Sequence, residues 1–457
     1  MRDLSAVIKA YDVRGTVPDQ LDVELARLVG AAFVEVLRAG SDLGDSIVIG
    51  HDMRPSGPKL VDAFTHGVTS HGADVVQIGL QSTDGLYFAS GSLGVPGAMF
   101  TASHNPAQYN GIKLCRAYAA PVGQDTGLAD VRRMIEQDAI PAYDGQPGSV
   151  SQRDTLPAYA AYLRDLVDLT KIRPLRVVVD AGNGMGGHTV PVVLDGLPLD
   201  VVPMYFELDG TFPNHEANPI EPDNLRDLQA RVVTEHADIG LAFDGDADRC
   251  FVVDERGQIV NPSALTALIA ARELAKHPGA TIIHNLITSR AVPEVIAESG
   301  GHPVRTRVGH SYIKAEMASS GAVFGGEHSG HFYFADFWRA DSGMLAALHT
   351  LAALGEQDRP LSQLLAEYER YVASGEINST VADSAAKTAE VQAAFADLTG
   401  ATVDHLDGMT ITTDNWWFNL RPSNTEPLLR LNVEAGDQVT MEKVRDEVLA
   451  IIRGGAA

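Results

Sequence analysis

The stretch Ser46-Ile47-Val48-Ile49-Gly50, then His51-Asp52-Met53-Arg54-Pro55-Ser56-Gly57, then a helical spacing through Val61, Phe64 and Val68, then Asp74-Val75-Val76-Gln77-Ile78-Gly79 decides the fold. Two short β-branched runs flank a helix-length segment, which is the pattern of a βαβ unit. The order recurs in Arg176-Val177-Val178-Val179-Asp180, the glycine turn Ala181-Gly182-Asn183-Gly184, a helix, and the strand Leu199 to Tyr205. It recurs again from Thr281-Ile282-Ile283-His284 through a helix at Val292 to Glu298 to Pro303-Val304-Arg305-Thr306. Three such units predict three related α/β domains with mixed sheets.

Upstream, Ile8 to Gly15 reads as an extended segment ending in a glycine turn, and Leu21 to Ala39 as a helix closed by a glycine cap at Gly40. Beyond about Tyr368 the pattern changes to alternating strands and a terminal helix, Met441 to Ile452, a smaller C-terminal α+β domain. The expected domains are 1–150, 151–254, 255–367 and 368–457.

A chain of 457 residues exceeds what one core usually supports, in keeping with several domains. Its formal net charge of -25 repels nucleic acid and anionic membranes, so neither is an expected partner. A phosphorylated substrate would need a local cluster of cations against that field. The start, Met1-Arg2-Asp3-Leu4-Ser5, lacks the apolar core of a signal peptide, and no apolar run is long enough to span a bilayer; a cytoplasmic location is expected. Cys115 and Cys250 read as small buried apolar side chains rather than a disulfide or metal pair.

Thr101-Ala102-Ser103-His104-Asn105-Pro106 follows the apolar run Val95 to Phe100, which holds Ser103 at a loop tip as a candidate nucleophile. Alone, it is equally a polar turn with a capping serine. Asp244-Gly245-Asp246-Ala247-Asp248-Arg249 lies between two predicted strands. Three carboxylates at alternate positions can converge on a hard cation such as Mg²⁺, and three clustered charges are costly without one. An EF-hand would place aspartates at the same spacing, but Arg249 stands where that loop needs glycine and strands stand where it needs helices.

Gly182-Asn183-Gly184-Met185-Gly186-Gly187 matches the dinucleotide pattern, with Glu207 at a suitable distance, and a tight strand-to-helix turn explains it as well. Gly326-Glu327-His328-Ser329-Gly330-His331 offers groups suited to sugar hydroxyls. Arg421-Pro422-Ser423-Asn424-Thr425-Glu426-Pro427 with Arg430 is a phosphate cradle by chemistry, and Arg307, His310 and Lys314 lie in a further basic stretch.

Assembled, these stretches resemble an α-D-phosphohexomutase, most closely the bacterial phosphomannomutase/phosphoglucomutase branch. Five stretches carry the resemblance in order: Tyr11 to Gly15, Thr101 to Pro106, Asp244 to Arg249, Gly326 to Gly330, and Arg421 to Pro427. It implies that Ser103 carries a phosphoryl group and that Asp244, Asp246 and Asp248 with the phosphoserine hold Mg²⁺, with Arg249 beside them. Glu327 and Ser329 would hold sugar hydroxyls, and Arg421, Ser423, Asn424, Thr425 and Arg430 the phosphate that is not reacting. Lys113 and His331 match proton-transfer residues, and Tyr11, Arg14, His104, His310 and Lys314 other active-site positions.

The implied fold is three α/β domains and a smaller C-terminal one around a central cleft, each supplying one loop. The implied reaction converts hexose 6-phosphate to hexose 1-phosphate through a hexose 1,6-bisphosphate, which also serves as activator. Gly326-Glu327-His328-Ser329-Gly330 sits nearer the mannose/glucose branch than the phosphoglucosamine mutases. A phosphoglucosamine mutase is one alternative; a Mg²⁺-dependent sugar-phosphate phosphatase or binding protein is the other. Phe334 to Gly343 departs from the double-acid form common in the branch, and no stretch carries an interface signature that would set the oligomeric state.

Overall fold

The computed structural model describes residues 3–395, 398–422 and 428–454. They form two compact units, one built from residues up to 262 with 329–364, the other from 263–328 with those from 365 onward.

The first unit contains a seven-stranded sheet in the order Val13–Thr16, Tyr109–Arg116, Gly97–Phe100, Ser46–His51, Asp74–Leu80, Val150–Gln152, with Ala120–Pro121 paired to Tyr109–Arg116. Its middle strands are parallel and the Tyr109–Arg116 strand runs antiparallel to both neighbours, so the sheet is mixed. Gly97 to Phe100 is buried at every position, as expected of a strand covered on both faces. The helix Val23–Ala39 is started by Asp22, whose Oδ1 accepts from Leu25 N at 2.7 Å, and buries Leu25, Val29, Phe33 and Leu37 as one stripe.

The helix ends at Ala39 with Gly40 as its C-cap, as expected; Gly40 itself has φ -83°, and the left-handed residue is Ser41 at φ 61°, where Asp42 N donates to Leu37 O. One local expectation is corrected: Gly15 lies inside a strand, opposite Asn110, rather than in a turn that ends one.

A second sheet of the first unit runs Cys250–Asp254, Ile239–Phe243, Leu175–Asp180, Leu199–Met204. Its last three strands are parallel, and Ile239–Phe243 and Cys250–Asp254 form an antiparallel pair. The unit also holds the antiparallel pair Phe332–Phe334 with Ala340–Asp341, and the helix Gly343–Gly355, buried along its whole length. Both cysteines are free and buried.

In the second unit Thr281–Asn285 is the middle of three parallel strands, between His302–Thr306 and Phe324–Gly326. The C-terminal part is a five-stranded sheet, Val372–Thr380, Leu428–Ala435, Trp416–Pro422, Met409–Thr412, Thr402–Asp404. Val391 of the helix Ser384–Ala394, Phe395 at its C-cap, and Val444, Val448 and Ile452 of the helix Gln438–Arg453 share a core with Ile411, Phe418, Leu420 and Leu431. The fold is the expected one of α/β domains with mixed sheets and a C-terminal α+β domain.

Candidate active site

The strand Gly97–Phe100 delivers Thr101 to Pro106 at its carboxyl end, where loops of parallel sheets collect ligand-binding groups. Ser103 is buried and left-handed at φ 50°, a backbone that costs about 1–3 kcal/mol in a residue with a Cβ. Neighbours hold it there. Thr101 Oγ1 accepts from Ser103 N at 2.9 Å. Arg54, 1% exposed, donates from Nη2 to Ser103 O at 2.9 Å and Asn105 O at 2.6 Å, and from Nη1 to Pro106 O and Tyr109 O, each at 2.9 Å. Its Nε donates to Asp52 Oδ2 at 3.2 Å, so all three guanidinium nitrogens are engaged on this loop and its counter-ion.

Asp244 to Arg249 forms the turn between Ile239–Phe243 and Cys250–Asp254, and brings Asp244, Asp246 and Asp248 together with ligand atoms within 4.8 Å of one another. Ser103 Oγ donates to Asp244 Oδ2 at 2.8 Å, and Arg249 Nε donates to the same oxygen at 2.9 Å. Lys113 Nζ bridges Asp246 Oδ2 at 2.8 Å and Asp248 Oδ2 at 2.7 Å, and Thr83 Oγ1 donates to Asp246 Oδ2 at 2.6 Å.

Burial opposes ionisation of all three carboxyls. It pushes Asp244 up, with Arg249 opposing. At Asp246 burial and the Asp248 charge are outweighed by Lys113 and Thr83, and at Asp248 Lys113 and His331 outweigh burial, so both are held below the usual carboxylate range. Burial would lower Lys113, but Asp246 and Asp248 hold it well above the ordinary lysine value. It therefore offers positive charge, or a proton, rather than a base. Asp246 Oδ1 and Asp248 Oδ1 are buried without a hydrogen-bond partner among the described residues. Buried carboxylate oxygens lacking donors suit a hard divalent cation, and the three aspartates fit Mg²⁺ by donor type.

Glycines set how closely these loops stack. A Cβ on Gly245 would lie 2.4 Å from Ser103 O, and one on Gly184 would lie 2.6 Å from Gly245 O. Met185 N donates to that same Gly245 oxygen at 2.9 Å. The match to the dinucleotide pattern is thereby explained otherwise: Gly184 is the glycine at which that pattern lets a pyrophosphate approach the backbone, and here the space is taken by the Gly245 backbone, whose O and Cα would lie 2.6 and 2.9 Å from a Cβ. Glu207 takes part through its carbonyl, which accepts from Asn183 Nδ2 at 2.9 Å.

Around this centre in the first unit, His104 Nδ1 lies 3.2 Å from Ser103 Oγ, and burial, with Arg249 and Arg14 adding to it, depresses the imidazole to about 2, so it is neutral. Arg14 Nη1 donates to Asn105 Oδ1 at 2.7 Å and the same guanidinium pairs with Asp12. His331 Nε2 is 3.8 Å from Asp248 Oδ1, and its Nδ1 is 2.9 Å from Ser329 Oγ. Tyr11 sits half-buried just ahead of the strand Val13–Thr16.

The second unit holds the remaining described residues. Glu327 is buried, and its Oε1 accepts from Asn285 Nδ2 and Gly309 N, each at 3.2 Å. Lys314 is buried on the helix His310–Ser320, which His310 begins, and the exposed Arg307 guanidinium stands 5.0 Å from the Tyr312 ring centroid. Arg421 and Arg430 face each other across adjacent strands, and both donate to Glu376, from Nη2 at 2.8 Å and from Nη1 at 3.2 Å. Ser423, Asn424 and Thr425 lie outside the described residues.

Sequence reasoning missed Arg54, Thr83 and Glu376. For Arg54 a signal existed: Asp52-Met53-Arg54 occupies a loop at the carboxyl end of a parallel strand. Thr83 opens a helix behind Ser82, whose side chain accepts from Gly85 N, and nothing local marks it as more than part of that cap.

Residues 5–139, 157–257 and 261–371 match the phosphoglucomutase/phosphomannomutase alpha/beta/alpha domains I, II and III, and residues 376–451 match that family's C-terminal domain. The chain is 41% identical to the phosphohexose mutases of Xanthomonas campestris pv. campestris over 98% of its length and 99% of theirs. It is 36% identical to the phosphomannomutase/phosphoglucomutase of Pseudomonas aeruginosa, covering 96% of this chain and 94% of that one. A crystal structure of a phosphoglucomutase/phosphomannomutase family protein from Burkholderia thailandensis superposes with a TM-score of 0.90 at 33% identity, covering 100% and 99% of the two chains. With all four domain types in order along its length, the chain belongs to the phosphoglucomutase/phosphomannomutase family of α-D-phosphohexomutases.

Proposed function

We infer that this enzyme interconverts hexose 6-phosphate and hexose 1-phosphate, of mannose, glucose or both, by way of a phosphorylated Ser103 and a bound hexose 1,6-bisphosphate. The observation that carries this reading is the hydrogen bond from Ser103 Oγ to Asp244 Oδ2, inside a buried set of three carboxylates faced by Arg249 and Lys113. An oxygen leaving or attacking phosphorus there is surrounded by fixed charge and needs little reorganisation. The division into domains 1–150, 151–254, 255–367 and 368–457 is part of the same reading.

In the forward half-reaction the free hydroxyl of the hexose monophosphate attacks the phosphoserine. A bond from that oxygen to phosphorus forms as the bond from phosphorus to Ser103 Oγ breaks. The hydroxyl proton passes to a protein group, and Ser103 recovers a proton. His331 is suited to the first transfer by an imidazole that Ser329 orients. His104, held neutral beside Oγ, is placed to hydrogen-bond the serine oxygen. Arg249 and Lys113 offset charge on the reacting groups. Mg²⁺, when held by Asp244, Asp246, Asp248 and Ser103, would draw charge from the transferring phosphoryl oxygens.

Glu327 and Ser329 take sugar hydroxyls, with Tyr11, Arg14, Arg307, His310 and Lys314 as further substrate contacts. Arg421, Ser423, Asn424, Thr425 and Arg430 hold the phosphate that is not reacting. After the bisphosphate turns around, the same steps run backwards with its other phosphate.

The test is phosphorus NMR of the purified enzyme with Mg²⁺ and a trace of glucose 1,6-bisphosphate, offered mannose, glucose and glucosamine 1-phosphates separately. Conversion of the mannose or glucose compound to its 6-phosphate is expected. Conversion of glucosamine 1-phosphate alone would overturn the substrate assignment, and release of inorganic phosphate without isomerisation would overturn the mutase reading.

A further inference from the structure

Arg421 and Arg430 are direct cross-strand partners. Two like charges opposed on a sheet repel, so an anion is required to hold them side by side. Glu376 supplies it. It lies on the strand Val372–Thr380 beside a register irregularity between Ala373 and Glu376, where Gly375 is left-handed at φ 68°. Its carboxylate accepts from Arg421 Nη2 at 2.8 Å through Oε2 and from Arg430 Nη1 at 3.2 Å through Oε1. The three side chains are 12%, 30% and 27% exposed in the order Arg421, Arg430, Glu376, so the cluster is partly shielded from water. Burial pulls the His328 imidazole down and the Glu376 charge opposes this, so the carboxylate's field extends to the turn after Phe324–Gly326.

We propose that Glu376 is an internal competitor for the phosphate clamp: it lines up both guanidiniums and must be displaced from them by the substrate's non-reacting phosphate. The guanidinium donors that Glu376 uses are ones a phosphate would take, and a phosphate dianion beside an ionised carboxylate is repelled. The hold on phosphate is thereby weakened. A bisphosphate that must release one phosphate and turn around needs a weak hold, because binding that is equally tight before and after the step adds nothing to turnover. The proposal rests on the reading of Arg421 and Arg430 as that clamp.

The probe is inorganic phosphate, titrated into the full-length enzyme by calorimetry. Glu376→Gln keeps shape and removes charge, and is expected to bind phosphate about tenfold more tightly, with KM and kcat falling together. Its thermal midpoint without phosphate is expected to drop, and phosphate to raise it more than in the wild type, a response that a merely structural contact does not produce. Glu376→Ala should shift phosphate affinity in the same direction. Arg421→Ala separates the two ideas. If it abolishes phosphate binding while Glu376→Gln binds no tighter than wild type, the clamp stands and the proposal falls. If Arg421→Ala binds phosphate as well as wild type, the clamp reading fails and the proposal falls with it.

Discussion

Arg54 Nη2 donates to the carbonyl oxygen of Ser103 at 2.9 Å, from a side chain only 1% exposed. The same guanidinium satisfies the carbonyls of Asn105, Pro106 and Tyr109, so one arginine braces the backbone on both sides of the candidate nucleophile. Such a brace keeps a left-handed serine in place without touching substrate.

Arg54→Met would leave Asp52, fully buried, without its guanidinium partner. Breaking a buried pair from one side costs about 3–5 kcal/mol. Urea denaturation is expected to show a loss of that size, with kcat/KM falling by more than the folded fraction does. Arg54→Lys, which restores charge but has too few donors for four carbonyls, should recover part of the stability and little of the activity; full recovery of activity would show that charge, not the donor array, matters.

The stacked loops make Gly245 and Gly184 intolerant of a methyl group. Overpacking costs about 1–3 kcal/mol, and here the displaced atoms are backbone of the Ser103 and Asp loops. Gly245→Ala and Gly184→Ala should each lower kcat about tenfold or more, since small shifts in reacting geometry are costly. Gly436→Ala, where a Cβ would meet nothing within 4 Å, is the control and should leave kcat unchanged. Equal kcat values for all three would contradict the stacking argument.

Thr83 acts through Asp246. Its hydroxyl reaches Asp246 Oδ2 at 2.6 Å while its N donates to Asp246 O at 3.0 Å. Removing a partner that orients a metal ligand weakens metal affinity by about 10–100-fold. Thr83→Val should show that loss in direct titration of Mn²⁺ followed by electron paramagnetic resonance, and Thr83→Ser should not.

His284, in the second unit, provides a pH signature. It is buried with Nδ1 2.9 Å from Thr288 Oγ1, and burial pushes its pKa down from 6.5 to about 4. The unfolded chain therefore takes up the proton first, so stability is present at neutral pH and lost as pH falls from about 6.5 towards 4. Between about pH 7.5 and pH 5 the loss from this group is about 2 kcal/mol. His284→Gln should flatten the stability profile by that amount in urea titrations across the range; an unchanged slope would mean that His284 is protonated in the folded enzyme.

Much was legible from local order. Ser46 to Gly79 carries its own βαβ pattern: the strand Ser46–His51 is buried from Ile47 to Gly50, and burial on both faces leaves an apolar run that needs no distant partner to be recognised, while Val75, Val76 and Ile78 mark the half-exposed strand Asp74–Leu80. Asp244, Asp246 and Asp248 could be picked out because three like charges in a six-residue turn ask for a cation wherever the turn lies. Gly15 shows the limit at the same scale: a glycine permits a turn without requiring one, and Gly15 pairs with Asn110 inside a strand instead.

What the sequence by itself determined are these chain-local features: the repeated α/β units, the acidic turn, the serine loop and the basic stretches near the C-terminus. Tertiary structure decided which of them meet. Ser103 and Asp244 are 141 residues apart, Thr83 and Asp246 are 163 apart, and Arg54 and Ser103 are 49 apart. A lone arginine, threonine or glutamate has the same composition on a surface as in a site, and its role arises from the partners that folding brings within reach. Arg54 and Thr83 are selected by desolvation and hydrogen-bond geometry, and Glu376, which remains partly exposed, by the strand pairing that sets it beside Arg421 and Arg430; all of these act on neighbours in space rather than in sequence.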